Sequence, residues 1–177
     1  MNQVFIDENQ AYQFDFSAAL YASDQLNKIY HQCKLSILSD VDFIVETDDV
    51  IILIEYKNAC IAQAVRPSAF DPMSQKKKNS IAYKFYDTWI YLSATHHKKP
   101  VKYVYVLEYP GSDKVTRKML RNKISDLLPF KLQNLPQIKE KLIHDFEVLS
   151  INEWNTHKLY RLFPITPLYS TVSNHHA

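Results

Sequence analysis

The chain has 177 residues, a formal charge of +2, abundant aromatics (12 Tyr, 9 Phe, 2 Trp) and a single glycine, Gly111. That length suits one domain with a sizeable core, and one glycine excludes a Gly-rich phosphate loop or dinucleotide fingerprint, which need several. No apolar run is long enough to span a membrane and Met1-Asn2-Gln3 opens no signal peptide, so a cytoplasmic protein is expected.

Residues 1–14 carry little pattern beyond Val4, Phe5, Tyr12 and Phe14. Ser17 fits an N-cap, and Ala18 to about Tyr30 predicts a helix with Leu20, Leu26, Ile29 and Tyr30 on its core face. Cys33, with Cys60 later, lies outside any C-x-x-C spacing and reads as a free thiol. Lys34 to Leu38 carries a strand signal that runs on into the next element.

The segment Ser39 to Lys57 holds the densest information. Two β-branched runs flank Asp48-Asp49, which predicts a hairpin with those two residues at the turn. Thr47 then faces Val50, Asp42 falls opposite Glu55, and Asp40 falls opposite Lys57. Directly opposed residues share a sheet face, so Asp40, Asp42, Glu55 and Lys57 project together. Glu55 and Lys57 also interrupt a run, Val50 to Ile54, that is too apolar for an exposed strand. Buried carboxylates at cross-strand distance repel unless a cation compensates. Two of them with a backbone carbonyl suit hard ions such as Mg²⁺ or Mn²⁺, and a lysine beside such an ion can hold a water or stabilise charge on a phosphate. A solvated hairpin end is the alternative.

Beyond Lys57 the chain runs to Phe70 without a clean period. Asp71-Pro72 predicts the start of a helix to about Ala94, with Ile81, Phe85, Trp89 and Leu92 as its core stripe. Gln75-Lys76-Lys77-Lys78 stands at its beginning, as a basic turn toward solvent or toward the site. His96 and His97, being adjacent, point apart and form no metal pair. Val101 to Tyr109 predicts a buried strand stopped by Pro110-Gly111. Ser112 caps a predicted helix to Leu128, where Lys114, Arg117, Lys118 and Arg121 form one basic face, a candidate phosphate-backbone contact or simply a solvated face. A short helix over Ile138–Ile143 and a strand over Phe146–Leu149 follow. Ser150 and Glu153 make a capping box for a last helix to about Phe163, with a tail from Pro164 loose at its end. Residues 1–56 hold 2 Lys/Arg against 10 Asp/Glu, and residues 57–177 hold 19 against 9. Acids near the proposed metal with bases elsewhere suit an enzyme acting on a polyanion.

This order of elements predicts a three-layer α/β (α+β) domain with a mixed sheet flanked by helices. Asp42 followed, after a hairpin, by Ile54-Glu55-Tyr56-Lys57 resembles the PD-(D/E)XK nuclease superfamily, also called restriction-endonuclease-like. The resemblance spans about residues 16–109, and its motif lies within 40–57. It implies a single nuclease-like domain over residues 1–177, with 112–163 as C-terminal additions to the core. It further implies that Asp42 and Glu55 bind Mg²⁺, with Mn²⁺ as a substitute and the Tyr56 carbonyl as an extra ligand, while Lys57 assists the hydrolytic water. Accessory roles fall on Asp40, on Asp24 or Asp15 before the hairpin, where Asp24 also reads simply as a solvated helix acid, and on Gln75 or Lys78 in the helix after it. The chain departs from the family by lacking a predicted strand between the first helix and the acid-bearing strand. The implied activity is metal-dependent hydrolysis of nucleic acid, DNA by preference. Lys76, Lys77, Lys114, Arg117, Lys118 and Arg121 would touch phosphates, and a homodimer is allowed. A non-catalytic binding or assembly module on the same fold is the rival.

Overall fold

A computed structural model describes residues 3–61, 70–95 and 97–168. The strands are β1 (Val4–Ile6), β2 (Tyr12–Asp15), β3 (Tyr21–Ser23), β4 (Phe43–Glu46), β5 (Ile51–Asn58), β6 (Val101–Glu108), β7 (Asp145–Leu149) and β8 (Ile165–Pro167). The helices are α1 (Leu26–Gln32), α2 (Gln75–Ala94), α3 (Lys114–Ser125) and α4 (Ile151–Thr156). A mixed sheet runs in the order β3-β4-β5-β6-β7, antiparallel through β5 and parallel from β5 to β7. A smaller antiparallel sheet runs β1-β2-β8.

The main sheet is the middle of three layers, as predicted. On one face Ile44, Leu53, Tyr103, Tyr105 and Phe146 pack under α1, α2 and α3. On the other, Phe43, Val45, Ile52, Ile54, Val104 and Val106 pack against Phe14, Phe16, Trp154, Tyr160 and Ile165, from the small sheet and the α4 region. Residues 51–54 of β5 are buried on both faces, which explains their unbroken apolar run. Residues 112–163 supply α3, the edge strand β7 and α4, so they complete both layers.

The hairpin register is the predicted one: Phe43 pairs Ile54, Ile44 pairs Leu53 and Glu46 pairs Ile51. Thr47 closes it, its N–H bonding to the Val50 carbonyl at 2.9 Å and its hydroxyl accepting from the Val50 N–H at 3.0 Å. The capping box is also present, with Ser150 accepting from the Glu153 N–H and Glu153 from the Ser150 N–H.

Several expectations are corrected. The helix over 18–30 begins only at Leu26, because Tyr21–Ser23 pairs with β4. The outer edge of β4 offers backbone groups that need partners, and that demand overrides helix propensity. Strand β3 precedes α1, so α1 leads to the acid-bearing β4 with no strand between them, as the sequence predicted. The strand over 34–38 is absent. Lys34 takes a left-handed backbone (φ 60) while its N–H bonds to His31 and that of Leu35 bonds to Tyr30, a Schellman ending of α1. Helix α2 starts at Gln75, since Asp71 and Ser74 first form a separate turn in which Asp71 accepts from the Met73 N–H. Asp113, not Ser112, caps α3, accepting from the Thr116 N–H. No helix covers 138–143; the N–H groups of Leu142 and Ile143 bond instead to the Gln133 side chain. Helix α4 ends at Thr156, before a 3₁₀ turn over Tyr160–Leu162. Past Pro164 the residues of β8 pair with β2, while the end of the tail lies outside the described residues. Among the described residues, no helix is long and apolar enough to cross a membrane.

Candidate functional site

The site lies where β4 has ended and β5 continues. The β4–β5 ladder stops at Phe43 opposite Ile54, so residues 55–58 lose their β4 partner. Asp42 takes over, its Oδ2 accepting from the Tyr56 N–H at 2.7 Å. This bond fixes the Asp42 carboxylate beside Glu55, on the side where α2 covers the sheet.

From α2, Lys84 reaches between the two acids. Its Nζ donates to Glu55 Oε1 at 2.8 Å and Oε2 at 2.7 Å, and stands 3.6 Å from Asp42 Oδ1. Helix α2 also fixes the segment that carries Asp42. The Ser39 N–H bonds to the Asp87 carboxylate at 2.8 Å and the Val41 N–H to the buried Thr88 hydroxyl at 3.1 Å. Tyr30 of α1 donates to the Asp87 carbonyl, and Tyr103 of β6 to the Ile81 carbonyl. The carboxylates and the ammonium therefore meet on a frame of four packed elements.

The electrostatics follow from burial. Glu55, 8 % exposed, has its pKa pushed up to about 8, first by burial and then by the Asp42 charge, with Lys84 opposing. Burial also raises Asp42, against the pull of Lys84 and of the Tyr56 N–H. Burial alone would lower Lys84, but the two carboxylates outweigh it and its pKa is raised. The ammonium is thus charged, and two acids share one cation.

These groups form the floor of a cleft of about 640 Å³ between the β1–β2 turn, α1 and the loop before β4. Six carboxylates line it (Asp7, Glu8, Asp24, Asp40, Asp42, Glu55) against three lysines, Lys28, Lys57 and Lys84. Such a cleft attracts cations and repels a bare phosphate, so an anionic substrate needs added positive charge to enter. Asp42, Glu55 and the Tyr56 backbone carry the oxygen donors that a hard divalent ion takes. The raised carboxylates are what such an ion would relieve, so the donor chemistry fits.

The other expected residues are partly assembled. Lys57 lines the cleft but is exposed and forms no ion pair among the described residues. Asp40 lines it too, yet accepts from the Asn27 side chain at 3.0 Å and does not pair with Lys57. Asp24 is in the wall, just before α1, and is held by the Gln25 side chain. Asp15 lies in β2 and caps Ser17, away from the cleft lining. Gln75 and Lys78 are corrected. Neither lines the cleft, and Gln75 bonds to Asn79. Gln75 is nine residues before Lys84, about 13 Å along the axis and on the opposite helix face. Lys84 is instead the α2 side chain that lines the cleft and bonds to Glu55. Its signal was a charge inside the apolar stripe of Ile81, Phe85, Thr88 and Leu92, four buried positions. The Asp7–Asn9 turn that walls the cleft gave no such signal.

Of the basic groups, Lys76, Lys77, Lys114, Lys118 and Arg121 are exposed, Lys77 lying 5.7 Å over the Phe70 ring. Arg117 is corrected: it is 8 % exposed and bonds to Glu153 at 2.8 Å and to Ser112 at 2.7 Å. It ties α3 to α4 and offers nothing to a phosphate. His96 lies outside the described residues, while His97 stands 3.7 Å from Glu46. Both cysteines are free and exposed. Comparison with family models, curated proteins and solved structures finds no match for this chain.

Proposed function

We propose that the protein is a metal-dependent nuclease of the PD-(D/E)XK type, hydrolysing phosphodiester bonds in nucleic acid, DNA by preference. The observation that carries this reading is the meeting of Asp42 and Glu55 at a cleft floor, with Tyr56 bonded to Asp42 and an ammonium group between the acids. Core packing does not call for a buried Glu55 beside a partly exposed Asp42, and the raised pKa of each supports the reading of a site that takes a cation. Asp42, Glu55 and the Tyr56 carbonyl would hold Mg²⁺ or Mn²⁺. Such an ion, when bound, polarises the phosphate and lowers the pKa of its water. The Tyr56 N–H keeps Asp42 aimed at the site, and the apolar packing of β5 holds Glu55 in place. Lys57, at the cleft mouth, orients the attacking water and offsets charge that builds on the phosphate. Exposed Lys76, Lys77, Lys114, Lys118 and Arg121 supply nonspecific backbone attraction.

The test is cleavage. Purified protein with Mg²⁺ or Mn²⁺ should cut DNA or RNA, and Lys57→Ala should abolish cutting while leaving the melting curve intact. Equal activity in Lys57→Ala would end the assignment of that lysine. The second reading, a non-catalytic module, draws on a specific observation: Lys84 already neutralises part of the acid pair, and among the described residues no three His, Cys, Asp or Glu side chains are grouped to hold a metal. Failure to bind Mn²⁺ at millimolar concentration, with Asp42→Asn no less stable than wild type, would favour it.

A further inference from the structure

We propose that Lys84 is an exchangeable counter-cation, whose ammonium leaves the acid pair when a divalent ion enters and then turns into the cleft to meet the substrate phosphate. The inference rests on the nuclease reading of this site. Its ground is that both cations call on the same acids. The ammonium lies 2.7 and 2.8 Å from the two Glu55 oxygens and 3.6 Å from Asp42 Oδ1, so it already engages the two carboxylates that would hold the ion. Oxygen ligands approach Mg²⁺ at about 2.1 Å, so the two cations compete for these carboxylates, and their charges repel.

Lys84 is also free to move. Among the described residues its Nζ has no polar partner other than these two acids. It lines the cleft with its side chain 23 % exposed, and a four-carbon stem can re-aim without shifting the helix. Helix α2 itself is pinned by Asp87, Thr88 and the Ile81 carbonyl. Lys57, by contrast, makes no contact that ion binding must break.

The experiment is a calorimetric Mn²⁺ titration of metal-stripped wild type, Lys84→Met, Lys84→Gln and Lys57→Met. Both Lys84 variants should bind Mn²⁺ at least about tenfold more tightly than wild type, against less than about threefold for Lys57→Met, which removes the same charge without freeing the position. At saturating Mn²⁺ the Lys84 variants should nonetheless cut DNA at least about tenfold more slowly, because the ammonium no longer meets the phosphate. Tighter metal with slower cutting is the signature, and a purely structural lysine gives neither. Wild type carries a second readout that does not depend on the variants folding. Labelling of the Lys84 amine by an acylating reagent should rise on Mn²⁺ addition while that of Lys57 stays level. Mn²⁺ binding in wild type with no gain in the Lys84 variants over Lys57→Met, or with unchanged Lys84 labelling, overturns the exchange and leaves the nuclease reading standing. No Mn²⁺ binding by wild type or any variant overturns the metal site and the exchange with it.

Discussion

Replacing Glu55 with Gln isolates the cost of placing a carboxylate under α2. The side chain is 10 % exposed and its pKa stands at about 8, against an ordinary 4.5. Between those values the unfolded chain has lost the proton and the folded chain keeps it. The folded state thus binds more protons, and stability falls as pH rises through this window. One such group gives a slope of at most about 1.4 kcal/mol per pH unit and a total of at most about 5 kcal/mol, reduced where Lys84 relaxes toward the charge. Gln keeps the shape and carries no charge, and it also spares Asp42 a like charge, which acts in the same direction. Urea unfolding of both proteins in a chelating buffer from pH 5 to 8 measures the difference. At pH 5 the two should be close in stability, and by pH 8 Glu55→Gln should be the more stable by about 1–3 kcal/mol. A difference that stays flat within about 0.5 kcal/mol across the range would refute the reasoning, because Glu55 would then be ionised throughout with Lys84 fully compensating it.

Three further outcomes are expected. Thr88→Val removes the acceptor of the Val41 N–H while keeping the shape of a fully buried side chain, so it should cost about 1–3 kcal/mol in chemical denaturation and lower cleavage by displacing Asp42; a fall in neither would mean that the clamp does not position the acid. Ser150→Ala should cost about 1 kcal/mol by removing a cap, and Glu153→Ala more, because that carboxylate also receives Arg117; equal losses would show the Arg117 bond to be idle. Charge reversal at Lys118 and Arg121 should flatten the salt dependence of DNA binding by about one unit for each phosphate no longer neutralised, whereas Arg117→Glu should lower the melting temperature instead, and an unchanged slope in the first pair would place α3 away from the nucleic acid.

What could be read from the chain depended on how far apart the deciding residues lie. The β4–β5 register was legible because both strands and their turn fall within 16 residues of sequence, and because a charged Glu55 in an apolar run marks its own face. The capping box was legible because its two residues are three apart. Segments whose partners are distant were misread. Tyr21–Ser23 carries helix formers on both sides and becomes a strand only because β4 offers an edge to it. Arg117 belongs by spacing to a basic helix face, but its partner Glu153 comes 36 positions later and draws it inside. The candidate site shows the same division. Asp42 and Glu55 follow from a two-residue period, while Lys84 sits on a helix whose apolar positions define only a core stripe. Yet Lys84 carries the signal that exposed Glu55, a charge at a position where its element's own periodicity demands an apolar side chain. An acid in a buried strand and a base in the buried stripe of the helix that crosses it are each costly alone, and the pairing at 2.7 Å is what makes both tolerable. Two such violations, 29 residues apart and of opposite sign, therefore point to one another before any coordinates are known.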